Sequence, residues 1–315
     1  MSSNVDQKKR FCTTWYRSPG FILGIGILAV SSASLFIRYA QREMPSLVIA
    51  AFRLGLASIL MTPFILRKHA NEIRAINRAD WLRIIAAGLL LAIHFASWIT
   101  SLEFTSVSSS VVLVTTTPIW VALFSPFILK ERSNRMTIIG LAVAIAGGVV
   151  VSLAGECVIT STGLACHPGS GPASSNVLLG NTLALIGAIC AGFYLIIGRI
   201  LRKSVDLSVY VHCVFACAGL FLILFALLAG KSFFPYSPAA YAFCLALAVF
   251  PQIVGHTSLN WALAYLPVGL VAIVLLGEPV GSTILAALFL REIPTVWELT
   301  GGIIILSGIY IASRQ

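Results

Sequence analysis

LLGEPVGSTILAALFLRE, residues 275–292, decides how the rest of the chain is read. It sets one carboxylate, Glu278, and a proline, Pro279, inside a run that is otherwise apolar from Val268 to Leu290. About 20 apolar residues are enough to span a bilayer as a helix. A charge within such a helix is expensive, so it marks either a functional site or a carboxylate tied to a neighbouring Arg or backbone group. Pro279 has no N–H and its ring crowds the preceding turn, which predicts a kink with backbone carbonyls set free. Glu278 then sits beside the positive end of the following half-helix, a placement that electrostatics favours.

The whole chain fits that reading. Of its 315 residues 58% are hydrophobic and 10% charged, with a mean hydropathy of +0.97. A soluble domain carries roughly 25% charge; this composition predicts an all-α polytopic membrane protein. The net charge of +10 does not point to nucleic acid, because the basic residues lie in short gaps between apolar runs. No nucleotide-binding or zinc-binding spacing occurs, so no cofactor and no metal are expected. The first apolar run is full-length and carries no cleavage motif, and residues 1–18 read as a cytosolic tail.

Ten apolar segments can be marked, at 19–39, 45–66, 82–102, 106–129, 136–154, 179–200, 207–229, 239–263, 267–290 and 296–313. They divide into a first five-helix repeat (19–154), an outer loop rich in Gly, Ser and Thr (155–178) and a second five-helix repeat (179–315). Orientation follows from Lys and Arg asymmetry. With the N-terminus inside, the inner segments collect sixteen basic residues, among them Lys8–Arg10, Arg67–Arg83, Lys130–Arg135, Arg199–Lys203 and Arg314; the outer segments hold four, and Arg53 stays within a helix. Both termini are therefore expected on the cytoplasmic side of a cell (plasma or inner) membrane.

An internal echo reinforces the division. A shift of 161 residues lays Leu102 on Leu263, Pro118 on Pro279, Glu131 on Glu292, Gly140 on Gly301, Gly147 on Gly308 and Lys130 on Arg291. Five crossings per half is an odd number, so the halves are expected to lie inverted relative to each other. Inverted repeats with broken helices are the pattern of secondary transporters, with the substrate site near the midplane between them.

Thr117-Pro118 followed by Lys130-Glu131, Glu278-Pro279 followed by Arg291-Glu292, and Pro45 with Arg53 resemble the EamA-like branch of the drug/metabolite transporter superfamily. The resemblance runs over residues 19–313 in two copies. It implies a ten-helix carrier with a central cavity, the fifth and tenth helices peripheral, moving amino acids, amines or other small metabolites. The small multidrug exporters of that superfamily couple protons through a glutamate of the first helix; this chain has none there, which leaves Glu278 or a histidine for that role.

Candidate substrate-binding residues lie on helical stripes. His94, Ser97, Trp98 and Ser101 share a face of the third helix, and Gln252, His256 and Asn260 share one of the eighth, with Trp261 adjacent. Thr117, Tyr194 and Glu278 complete the set, and an aromatic face beside a carboxylate suits an amine-bearing substrate. Membrane histidines and tryptophans also serve plain packing and helix–helix hydrogen bonds, the bland alternative for each. Pro118 and Pro279 read as structural breaks. Arg53 reads as structural or coupling, its expected partner Glu278 or Glu103 in an ion pair. Gly140, Ala144 and Gly148, with Gly301 and Gly308, form small-residue faces for close helix contact within the bundle or, less favoured, in a homodimer. Cys157 and Cys166 share the outer loop, where an oxidising compartment permits a disulfide.

The function expected is a secondary carrier for a small polar metabolite, an amino acid or related compound in the direction of export, by alternating access and not by enzymatic turnover. Its partners are that solute, the lipid bilayer and, where coupled, a proton. The alternative is a membrane-embedded enzyme or flippase acting on a lipid-linked substrate; the outer-loop groups Glu103, Glu156, Glu292 and His167 form no compact constellation for it.

Overall fold

Apolar runs bounded by prolines, glycines and charges wind into helices in chain order. A computed structural model describes residues 19–104, 110, 113–131, 134–154, 157–160, 163–166, 177–290 and 296–314. The first half contains α1 (Pro19–Ser31), α2 (Ala33–Ala40), α3 (Ser46–Lys68), the short α4 (Ala70–Arg74), α5 (Arg78–Phe104), α6 (Thr117–Ile128) and α7 (Arg135–Ala154). A hairpin of β1 (Cys157–Thr160) and β2 (Gly163–Cys166) follows. The second half contains α8 (Val177–Leu201), α9 (Leu207–Leu228), α10 (Pro238–Leu247) running through a π-wound stretch (Ala248–His256) into α11 (Thr257–Ala262), α12 (Val268–Val274), α13 (Glu278–Leu290) and α14 (Val296–Ser313). The expected cytosolic tail and the Arg291-Glu292 motif lie outside the described residues.

Helix ends follow local chemistry. Asp206 accepts from Ser208 N (2.8 Å) to cap α9, and Ser237 Oγ accepts from Ala240 N (3.2 Å) to cap α10, whose first residue is Pro238. Asn77 Oδ1 accepts from Asp80 N (2.8 Å) at the start of α5. Such side-chain oxygens satisfy amides that have no partner in the first turn. Lys130 (φ 58°) and Gly230 (φ 64°) adopt the left-handed conformation just past α6 and α9, the usual device for turning the chain out of a helix.

Six helical stretches are long and apolar enough to cross a membrane among the described residues: Gly20–Ala40, Ser46–Lys68, Arg78–Phe104, Leu178–Leu201, Leu207–Leu228 and Pro238–Ala262. Four shorter apolar helices, Thr117–Ile128, Arg135–Val150, Val268–Ser282 and Leu299–Ala312, fall in the other expected spans. Their outer faces are apolar: Phe127 is 79% exposed and Leu228 78%. Water would penalise such a rim and lipid does not.

The packing scheme is unchanged when the halves are exchanged. α3 lies on α9 and α7 on α14, each pairing a segment with its counterpart. α5 lies on α8, and its counterpart contacts are α1 on the π-wound stretch and α2 on α10. Likewise α6 on α8 is matched by α13 on α1, and α5 on α9 by α3 on the π-wound stretch.

α7 and α14 meet along glycines. A Cβ on Gly140 would fall 2.5 Å from the Gly308 carbonyl oxygen, one on Gly147 2.7 Å from Ile305 N, and one on Gly308 2.5 Å from Ala144 N. Close backbone approach of this kind is how helices associate in lipid without an apolar driving force. The expected face is corrected in one position: a Cβ on Gly148 would meet nothing within 4 Å, so the neighbouring Gly147 supplies the contact. A 100° step per residue separates the two, and only one can face α14.

Candidate functional site

Three helix interruptions, besides the turn at Ser32 between α1 and α2, gather around one cavity and build the site. In the ninth segment a 3₁₀ turn, Leu275–Gly277, separates α12 from α13, which starts at Glu278. The break thus precedes Pro279 by a turn, and Glu278 occupies the N-terminal turn of the second half-helix, where the backbone dipole favours an anion. Ser31 Oγ donates to the Glu278 carbonyl (3.1 Å) and Ser282 Oγ to the Ser31 carbonyl (2.9 Å), fastening the break to the end of α1. In the first half a turn at Thr115–Thr116 precedes α6, which starts at Thr117-Pro118; Thr117 Oγ1 donates to the carbonyls of Val114 (2.9 Å) and Ala188 (3.3 Å). The third interruption is the π-wound stretch around Pro251, which carries Gln252 and His256. Proline removes a donor from the helical ladder, and π-bulges recur at functional sites.

These breaks surround a cavity of about 70 Å³. One buried water needs about 10–15 Å³, so the space suits a compact solute. Its wall is built twice over. Twelve of the eighteen lining residues form six pairs at an offset of 161: Val30 with Ala191, Ala33 with Tyr194, Phe95 with His256, Trp98 with Leu259, Val114 with Leu275, and Thr117 with Glu278. The backbone frame is thus doubled while the chemistry is not. The second half supplies Tyr194, His256 and Glu278; the first supplies Trp98, His94 and Arg53.

Arg53 is fully buried on α3. Its Nε donates to Gln252 Oε1 (2.9 Å), and Cζ lies 4.1 Å from the centroid of the Phe95 ring. That arrangement corrects the expected ion pair: no carboxylate lies within 4.0 Å of Arg53 among the described residues, and Glu103 instead accepts from Ser46 Oγ (2.5 Å) and N (3.3 Å). The π-wound stretch brings Gln252 to the guanidinium, an amide in place of an anion. Arg53 and Glu278 share the cavity without touching. Two buried donors on lining residues, Arg53 Nη1 and Trp98 Nε1, find no acceptor among the described residues.

The aromatic side is continuous. His94 stacks on Trp98 (6.0 Å, 15°), Phe95 lies edge-on to His94 (4.6 Å) and to His256 (5.3 Å), and His94 Nδ1 is 2.9 Å from the Gly187 carbonyl oxygen. Of the residues expected at the site, Glu278, His94, Trp98, Thr117, Pro118, Tyr194, His256 and Arg53 line the cavity. Asn260 stands behind the wall, its Nδ2 donating to Tyr194 Oη (2.6 Å). Trp261 faces Tyr265 (4.8 Å between centroids) and not the cavity, and Pro279 is buried off the wall. Phe95 is the wall residue that stripe reasoning passes over, since it sits one place off the His94–Trp98 face. The 161 offset that carries it onto His256 is the signal that finds it.

At the end of α8, Arg199 ties the two halves together, while Arg202 holds backbone of its own half. Arg199 donates to Glu131 Oε1 (2.9 Å) and to the Leu263 carbonyl (2.7 Å). Arg202 donates to the carbonyls of Asn260 (3.3 Å) and Val205, and burial pulls its guanidinium below its ordinary pKa. At the surface, His69, Glu72 and Asp206 bring possible metal ligands within 4.8 Å of one another. All three are already engaged, His69 Nδ1 with Glu72 (3.0 Å) and Asp206 as the α9 cap.

Comparison with known proteins agrees with this architecture. The chain is 22% identical over 296 residues to a protein named an uncharacterized transporter from Archaeoglobus fulgidus, covering 93% of this chain and 96% of that one. It is 23% identical over 296 residues to solute carrier family 35 member G1 of Mus musculus, covering 91% and 77%. A solved crystal structure superposes with a TM-score of 0.75 at 18% identity, covering 94% of this chain and 96% of that one, which establishes a shared fold. The model of the EamA-like transporter family matches residues 19–153 and again 178–314. The chain is a member of the EamA-like transporter family, within the drug/metabolite transporter superfamily, and a membrane transporter.

Proposed function

We propose that the chain is a secondary carrier that exports a small amine-bearing metabolite, an amino acid or related compound, by alternating access. In this reading ten segments cross a cell membrane as two inverted halves, both termini are cytoplasmic, and the halves rock about the cavity. The observation that carries it is the doubled wall: paired positions 161 apart surround one polar cavity, as expected of a site on a repeat interface. Glu278 binds either the substrate cation or a coupling proton. Purified protein in proteoliposomes is expected to concentrate a radiolabelled amino acid or amine across the bilayer under an imposed solute or proton gradient. Chemical turnover without translocation would replace the carrier with the enzyme reading.

A disulfide between Cys157 and Cys166 belongs to the same proposal. In the β1–β2 hairpin these two residues are direct cross-strand partners. Opposed Cα atoms in antiparallel strands lie about 4.5–5.5 Å apart, within the roughly 4.4–6.8 Å that a disulfide spans. Alkylation of protein from an oxidising preparation is expected to leave both thiols unlabelled until reductant is added. Labelling of both before reduction would remove the bridge.

A further inference from the structure

We infer that the seam between α8 and the end of α11 is a gate: a polar latch, shut in this structure, that closes the cavity at that end and opens when solute passes. The inference rests on the carrier reading and adds which contact moves. Tyr194 stands on the cavity wall. From there α8 runs on for two more turns, and at each turn it grips α11 through a polar group. Tyr194 Oη accepts from Asn260 Nδ2 (2.6 Å), Arg199 Nη1 donates to the Leu263 carbonyl (2.7 Å) and Arg202 Nε donates to the Asn260 carbonyl (3.3 Å). Arg199 Nε also reaches Glu131 Oε1 (2.9 Å), just past the end of α6. Between these ties the helices touch: a Cβ on Gly198 would fall 2.8 Å from Leu263 Cδ1. A seam without room for a methyl group has none for a solute.

The seam is built to part. Its ties are hydrogen bonds and one ion pair, and water can take over each of them when the helices separate. Asn260 Oδ1 and Glu131 Oε2 are covered and meet no donor among the described residues. The shut state therefore carries a desolvation penalty that hydration relieves on opening. α11 has only six residues and follows the π-wound stretch around Pro251, a change of winding that can serve as its hinge. The counterpart end of the frame lacks such a latch. At the 161 offset Tyr194, Arg199, Arg202, Asn260 and Leu263 become Ala33, Arg38, Gln41, Ile99 and Leu102. One tie persists there: Gln41 Nε2 donates to the Ile99 carbonyl (3.1 Å), as Arg202 does to that of Asn260. Ala33 and Ile99 have no polar side chain, and Arg38 is exposed, with no ion pair among the described residues.

The first test uses the full chain in sealed vesicles of known orientation and needs no solute. Ala191→Cys puts a thiol on the cavity wall, and a charged, impermeant maleimide is added from the α8–α11 side, the chain without this thiol giving the background. Labelling is expected to be slow, and roughly 10-fold faster once Arg199→Ala or Arg202→Ala is added, the loss of a charged hydrogen bond. Arg202→Gln is the rescue, since a glutamine makes the corresponding bond at Gln41, and its rate is expected to stay close to that of the latched chain. Rates unchanged in both alanine variants overturn the proposal, and so does an equal gain from both sides, which marks a loosened bundle. The second test fastens the seam. Gly198→Cys with Leu263→Cys sets two thiols where side chains would touch. Oxidation of this pair is expected to stop solute accumulation in proteoliposomes and reductant to restore it, each single variant serving as control. Full accumulation by the cross-linked protein would overturn the gate and leave the carrier reading. One-sided labelling gains in a native chain that accumulates no solute would do the opposite.

Discussion

Glu278→Gln is expected to abolish accumulation of substrate in proteoliposomes while the protein still purifies as a monodisperse, folded species. The substitution keeps the shape of the side chain and removes the charge that faces the cavity from the N-terminal turn of α13. Truncating one member of a buried charge contact costs about 2–5 kcal/mol, a fall of roughly 30-fold or more in substrate affinity. Transport measured against external pH separates the two roles open to this carboxylate. If it binds the substrate cation, the variant is inactive at every pH. If it carries the coupling proton, exchange of substrate down its own gradient survives and loses its pH dependence. Wild-type transport by the variant would remove Glu278 from the mechanism.

The second large effect is expected at the α7–α14 seam, whose glycines do not line the cavity. Gly308→Leu, or Gly140→Leu, should lower thermal stability and yield, since α7 and α14 touch backbone to backbone there. The side chain would meet peptide atoms at 2.5 Å, and a peptide group in a helix cannot move aside as a flexible side chain can. Overpacking of this kind costs about 1–3 kcal/mol and sometimes more. Gly148→Leu is the matched control, because a Cβ at that position meets nothing within 4 Å. Fluorescence-detected size exclusion after a heating series reads both. Equal melting of the Gly308 and Gly148 variants would show that the seam contributes little.

Much of this architecture is legible in the chain itself. The apolar runs, the break near Pro279, the place of Glu278 on the cavity wall and the 161-residue echo all rest on composition and spacing, which a membrane constrains tightly. What escaped depends on helix rotation and winding. Arg53 could be seen to need a partner, but the π-wound stretch shifts the facing residues of the eighth segment and puts Gln252 against it. Trp261 was indistinguishable from its neighbour Asn260 until the rotation of α11 turned one toward Tyr194 and the other toward Tyr265. The choice between Gly147 and Gly148 was of the same kind. Phe95 carries no charge or hydrogen-bonding group, so nothing in its chemistry sets it apart from an aromatic facing lipid.

A cavity framed by two copies of one scaffold would hold a solute equally well end over end if the copies also matched in chemistry. Here Thr117 faces off against Glu278 and Ala33 against Tyr194. The two walls consequently differ, and any solute that reaches from one to the other is expected to bind one way round.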